Sequence, residues 1–122
     1  AKNMGDGWET RRRRVKGFDW MILNSLNGKD VEKIEISTHH FKGNFPSHCS
    51  LQAAYLPIKK NSKQIVNSSV KWKYLLRNAK LSANKIHTFK NNLMRKNKIN
   101  FIKISIFPDG GISRFRIYGK NI

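Results

Sequence analysis

The stretch Ile99-Asn100-Phe101-Ile102-Lys103-Ile104-Ser105-Ile106-Phe107 decides the fold class. Ile102, Ile104 and Ile106 alternate with Phe101, Ser105 and Phe107, so an extended chain places the isoleucines on one face at a period of two. That period belongs to a strand, not to a helix. Pro108-Asp109-Gly110-Gly111 follows with turn chemistry, and Ile112 to Tyr118 resumes an extended pattern, which predicts a β-hairpin.

Outward from this pair, the same period recurs. Phe18 to Leu23 is a nearly continuous apolar run, expected as a strand covered on both faces. In Val31 to Thr38, Ile34 and Ile36 point one way and Glu35 and Ser37 the other. Cys49 to Ile58 is a third candidate, closed by Pro57, and Trp72 to Leu76 and Ile86 to Phe89 read as short strands. A helix over Ser69 to Asn84 would need a 3.6-residue spacing that its apolar positions do not hold. Many short strands with polar connections predict an all-β protein, an antiparallel β-sandwich or jelly roll.

A chain of 122 residues suits one core, so residues 1–122 are expected to form a single domain. Its 25 Lys and Arg against 7 Asp and Glu give a net charge of +18, a balance often met in partners of nucleic acid or anionic membranes. Here the lysines from Lys59 to Lys103 mostly stand singly among Asn and Ser. That scatter describes a solvated surface and argues against nucleic acid as a partner. Cys49 is the single cysteine, so no internal disulfide forms and a reducing compartment fits. No apolar run reaches the roughly 20 residues that cross a bilayer, and no signal-peptide layout opens the chain. A soluble, cytoplasmic protein without a membrane partner is expected.

Three segments concentrate chemistry. In Pro108 to Arg116, burial of Phe115 and Ile117 would leave Arg114 and Arg116 on the other face, about 7 Å apart. Two guanidinium forks at that spacing can hold a carboxylate, and Asp109 can orient one of them or accept a ligand N–H. In Gly5-Asp6-Gly7-Trp8-Glu9-Thr10-Arg11-Arg12-Arg13-Arg14, Asp6 between glycines permits close backbone approach, Glu9 offers a base or acceptor, and Trp8 an apolar wall. At most two of the four arginines face one site. In Thr38-His39-His40-Phe41-Lys42-Gly43-Asn44-Phe45-Pro46, the two histidines at a strand end point to opposite faces, so one joins the site. Lys42 can stabilise negative charge and Asn44 can hydrogen-bond a polar ligand.

Each segment also has an ordinary reading: an exposed arginine pair, a turn aspartate with a core tryptophan, a packed histidine. His39, His48 and Cys49 lack zinc-ligand spacing, and no base is evident beside Cys49, so neither a metal, a cofactor nor a cysteine nucleophile is expected.

Taken together, Gly5 to Arg12, His40 to Pro46 and Asp109-Gly110-Gly111-Ile112-Ser113-Arg114-Phe115-Arg116-Ile117-Tyr118-Gly119 resemble the signature of the allantoicase repeat in order and spacing. Trp72-Lys73-Tyr74-Leu75-Leu76 followed by Lys80-Leu81-Ser82 is also similar, so the resemblance covers nearly the whole chain. It implies a galactose-binding-like jelly-roll sandwich that hydrolyses allantoate to ureidoglycolate and urea in purine degradation. On that implication Arg114 or Arg116, with Arg12, takes the substrate carboxylate, and Asp6, Glu9 and Asp109 accept ureido N–H groups. Trp8 and Asn44 line the pocket, Glu9 or Asp6 is the base, and His40 or Lys42 assists the departing urea. Allantoicases usually carry two repeats in one chain, and this repeat is most similar to the C-terminal one. A second repeat, or a second copy in a homo-oligomer, is the implied partner. Ser37 departs from the family pattern, which has Asp before Thr38. The alternative is a galactose-binding-like module with a basic surface and no turnover.

Overall fold

The computed structural model describes residues 8–9, 17–57, 59–94 and 98–121. Its elements in chain order are β1 (Trp8–Glu9), β2 (Asp19–Ser37), β3 (His48–Ala54), α1 (Ser62–Ser69), β4 (Lys73–Lys80), β5 (Ile86–Phe89), β6 (Ile99–Phe107), β7 (Gly111–Ile112) and β8 (Arg114–Asn121). The strand pairs are antiparallel, as the all-β reading requires.

Strand β2 organises the molecule. Its first part, Asp19 to Asn24, pairs with β6, which pairs onward with β3 and then β4. After a register shift between Asn24 and Lys29, its second part pairs with β8 on one side and, from Ile34 to Ser37, with β5 on the other. One strand thereby serves both layers of a sandwich. Val31, Ile34 and Ile36 from its second part share one buried cluster with Cys49, Leu51 and Ala53 of β3, Leu75 and Leu76 of β4, and Ile102, Ile104 and Ile106 of β6. β1 and β7 form a separate two-stranded ladder.

The Ile99–Phe107 pattern gives one strand over the expected residues, with Ile102, Ile104 and Ile106 buried. The hairpin expected after it does not form. β6 pairs with the first part of β2 and with β3, while β8 pairs with the second part of β2, so the two neighbours in sequence take different stretches of one strand instead of each other. The intervening glycines serve another purpose: a Cβ at Gly110, whose φ is +129, would meet the Phe45 backbone at 2.6 Å, and one at Gly111 would meet the Phe41 ring at 2.1 Å. The turn chemistry was legible, but close packing uses it, in a passage from one layer to the other.

Other expectations shift in detail. Phe18 to Leu23 and Val31 to Thr38 are parts of one 19-residue strand that ends at Ser37. The first run is not covered on both faces, because Phe18 and Trp20 are 42% and 41% exposed. The third strand ends at Ala54, before Pro57, and Ile58 lies outside the described residues. β4 starts after Trp72 and runs on to Lys80, which excludes a helix over most of Ser69 to Asn84, and β5 matches its expected span.

Helix α1 has a signal that hydrophobic periodicity overlooks. Asn61 and Gln64 form a capping box, Gln64 N donating to Asn61 Oδ1 at 2.8 Å and Asn61 N to Gln64 Oε1 at 3.0 Å. Beyond its other end, Gln52 Nε2 lies within 3.0–3.3 Å of the carbonyl oxygens of Ser69, Val70 and Trp72 and ties the turn after the helix to β3. Lys103 is buried beside it and donates from Nζ to Ser69 Oγ at 3.2 Å. Burial pushes its ammonium pKa down.

No helix among the described residues is long and apolar enough to cross a membrane. Two measurements test this packing. Ile104→Ala removes a side chain that is 1% exposed and is expected to lower unfolding free energy by about 2–5 kcal/mol in denaturant titration. The thiol of Cys49 is fully buried, and desolvation raises its pKa from 9.0 to about 12. The unfolded chain therefore releases this proton first as pH rises, so the Cys49 contribution to stability is complete below pH 9 and falls away between 9 and about 12. Cys49→Ala should flatten that alkaline loss, and an unchanged slope would exclude it.

Candidate active site at the end of β2

Two residues lock the chain where β2 ends. Thr38 N donates to Lys85 O at 2.8 Å, Lys85 N to Thr38 Oγ1 at 3.1 Å, and Thr38 Oγ1 to Ser82 O at 2.6 Å. His87 is buried, accepts from Ser82 N at Nε2 over 2.8 Å, and reaches Ile36 O from Nδ1 at 2.9 Å. A carbonyl can only accept, so the proton sits on Nδ1. Both ring nitrogens are thus used in holding the 82–85 turn against β2, and His87 is a structural residue.

The His39-His40 pair follows this lock. It lies in a turn, where His40 adopts φ of 76° and donates from its backbone N to Asn84 Oδ1 at 2.8 Å. Strand alternation no longer applies, and the two rings lie 4.0 Å apart instead of on opposite faces. Of the two, His39 lines a cavity of about 160 Å³ with Glu35, Ser37, Ile86, Ser113, Arg114 and Arg116.

Arg114 and Arg116 occupy the face of β8 opposite the core, while Phe115 and Ile117 pack against the core. Across the ladder Arg114 is paired with Ser37 and Arg116 with Glu35. Ser113 ties the strands together by donating from its N to Ser37 O at 2.8 Å and from Oγ to Ser37 Oγ at 3.0 Å, while His39 N donates to Ser37 Oγ at 3.1 Å. The hydroxyl of Ser37 is therefore a hub between the arginine strand and the histidine turn. Tyr118 donates to Glu35 Oε1 at 2.9 Å, and Arg116 Nη1 lies 3.5 Å from the same hydroxyl. The Tyr118 hydroxyl, and behind it Glu35, raise the Arg116 pKa, so its charge persists at any ordinary pH.

The three chemistry-bearing segments meet beside this cavity. Trp8 and Glu9 pair with Ile112 and Gly111, and Gly111 N donates to Asn44 O at 2.9 Å. Gly110 abuts Phe45 and Pro46, and Gly111 abuts the fully buried ring of Phe41. Residues far apart in sequence, 8–9, 41–46 and 110–116, thus form one continuous structure. Asp109 is half-buried and Asn44 partly so, while Lys42 is exposed. Asp6 and Arg12 lie outside the described residues, as do the side chains of Trp8 and Glu9.

The sequence pattern does not single out Glu35, Ser37 or Ser113 as site residues, and it leaves open which of His39 and His40 joins the site. Glu35 and Ser37 were read as the outward positions of β2, which is where they stand. What linear reading lacked was the register that sets them opposite Arg116 and Arg114. Cys49, fully buried and with its thiol held protonated, is no nucleophile.

A family model described as the allantoicase repeat matches residues 1–122. The chain belongs to the allantoicase family. A probable allantoicase of Acinetobacter baumannii (strain AYE) is 48% identical over 118 residues, covering 97% of this chain and 35% of that protein. A probable allantoicase of Stutzerimonas stutzeri is 44% identical over 120 residues, covering 98% and 36%. The crystal structure of allantoicase from Saccharomyces cerevisiae superposes with a TM-score of 0.79 at 28% identity, covering 98% of this chain and 33% of that one. This allantoicase-family chain thus spans about a third of the length of the relatives it matches.

The close approach of β7 to the Lys42-Gly43-Asn44 turn yields a prediction. Gly111→Ala drives a methyl group into the buried Phe41 ring and is expected to cost about 1–3 kcal/mol of stability. Phe41→Leu in the same chain should recover part of the loss in thermal melts; additive losses would show that the overlap is relieved elsewhere.

Proposed function

We propose that the chain is one allantoicase-repeat domain of a cytoplasmic enzyme that hydrolyses allantoate to ureidoglycolate and urea, with its second repeat or a second copy as partner. The observation that carries the reading is the junction of β1, β7 and the Asn44 turn beside the Arg114–Arg116 face. Family membership supports the same chemistry. Allantoate bears one carboxylate and two ureido groups on a single carbon, so a matching pocket needs a cationic clamp and several N–H acceptors.

In this proposal Arg114 or Arg116, with Arg12, holds the carboxylate. Asp6, Glu9 and Asp109 accept ureido N–H groups, Asn44 adds a hydrogen bond, and Trp8 supplies an apolar wall. Glu9 or Asp6 takes a proton from water as its oxygen bonds to the central carbon. The bond from that carbon to one ureido nitrogen breaks, and His40 or Lys42 returns a proton to the leaving urea. His39 lines the cavity, and the His40 ring lies 4.0 Å from it. The buried, reduced Cys49 fits a reducing cytoplasm.

Urea release from allantoate by the full-length protein tests the reading. Glu9→Gln is expected to lower it by about 10²–10⁴-fold, and parent-level activity would remove Glu9 from the base role. Arg114→Gln should act mainly through KM, the signature of a ground-state carboxylate contact. Allantoate binding without urea release in the unaltered protein would instead make this a non-catalytic module.

A further inference from the structure

The outer face of β8, β2 and β5 carries an acid, Glu35, with no part in the hydrolysis just described. Register sets Glu35 of β2 between Arg116 of β8 and Thr88 of β5, and Ser37 between Arg114 and Ile86. Residues two apart on a strand share a face, so the two rows form one grid. Glu35 is half-buried. Among the described residues that line the cavity of about 160 Å³ it is the one carboxylate, beside two guanidinium groups, the His39 imidazole and two serine hydroxyls.

Glu35 is held in place with acceptor capacity to spare. Tyr118 donates to its Oε1 at 2.9 Å, and Arg116 is linked to it through the same hydroxyl, with Nη1 3.5 Å from the Tyr118 oxygen. Lys33 pairs with Tyr118 across the ladder and sets its Nζ 4.3 Å from the ring centre, which steadies the ring that aims the hydroxyl. An ionised carboxylate accepts at about four lone-pair positions, and one hydroxyl fills one of them. The guanidinium groups on this face suit a ligand's anionic group. An acceptor set among them selects a ligand that also brings N–H donors.

We infer that Glu35 reads a ureido arm of the ligand: its carboxylate accepts N–H groups of one arm while Arg114 or Arg116 holds the ligand carboxylate, and Tyr118 is the positioning residue that fixes Glu35. The inference rests on the allantoate reading and deepens it, since it names a residue that separates a ureido acid from another carboxylate of similar size. An ether oxygen in place of the ureido nitrogen sets lone pairs against Glu35, so the acid is desolvated with no bond in return. A Glu35 that served only to hold Arg116 would treat the two kinds of ligand alike.

The test titrates the full-length protein with two probes, followed by calorimetry or NMR. Ureidoacetate carries one ureido arm beside its carboxylate and lacks the second nitrogen whose lone pair would help expel urea. Ethoxyacetate has an ether arm in the same place. The unaltered protein is expected to prefer ureidoacetate. Glu35→Gln keeps the shape and an oxygen for Tyr118 but turns an amide NH₂ toward the ligand. It should weaken ureidoacetate about tenfold or more and leave ethoxyacetate within about twofold. Tyr118→Phe, which releases Glu35, should weaken ureidoacetate more than ethoxyacetate. Thermal melts identify a variant that fails to fold, and the other then decides. Equal effects on both probes, no effect on either, or no binding of ureidoacetate by the unaltered protein overturns the inference. Urea release is not read: a protein that binds as expected but leaves allantoate intact loses the catalytic proposal alone, and one that releases urea while Glu35→Gln leaves the preference unchanged loses this inference alone.

Discussion

Strand β2 must be extended and paired along nearly its whole length, because three strands from two layers take their hydrogen bonds from it. Backbone N–H and C=O groups buried in a sandwich have no water to turn to, so a break in this strand would leave the donors and acceptors of β5, β6 and β8 unmet together. The register shifts between Asn24 and Lys29 and between Val31 and Lys33 let one strand change partners without losing the inward set Val31, Ile34 and Ile36. The site inherits its geometry from the same strand. Glu35 and Ser37 are the outward positions between those core residues, and the antiparallel register fixes them opposite Arg116 and Arg114.

The turn that leaves β2 is held as firmly as the strand. Thr38 and His87 bind the 82–85 segment from two directions, and Asn84 then holds the backbone of His40 and Phe41. Phe41 is fully buried against Gly111, so the histidine turn and the β1–β7 ladder are packed directly on each other. Buried hydrogen bonds and a steric stop position polar groups better than solvent-facing contacts do, since neither is exchanged for water at low cost. This arrangement lets one repeat present charged residues from distant parts of the chain at a small cavity.

Much of the architecture was legible from residue order. The isoleucine alternation in β6, the Ile34 and Ile36 pair and the short β5 each appear where a period of two places them. The failures share one cause. Pro108-Asp109-Gly110-Gly111 carries turn chemistry, but turn chemistry does not say whether the chain returns to the strand it left or passes to another layer. The strand alternation applied to His39 and His40 broke on a single positive φ at His40, which depends on Asn84, 44 residues away. Exposed Phe18 and Trp20 read as core because apolarity marks what avoids water, not which surface removes it from water.

By itself the sequence determined the local terms: strand period, the core face of each strand, the capping pair Asn61 and Gln64, and the glycine-marked segments that place the chain in its family. Tertiary structure alone decided which strands pair and in what register. On that choice depend the apposition of Ser37 with Arg114, the junction of Glu9 with Gly111, and the passage of the final segment between layers. The division follows from range. Side-chain alternation and capping act over a few residues, whereas register between distant strands is set by the burial of one shared core, to which all of them contribute at once.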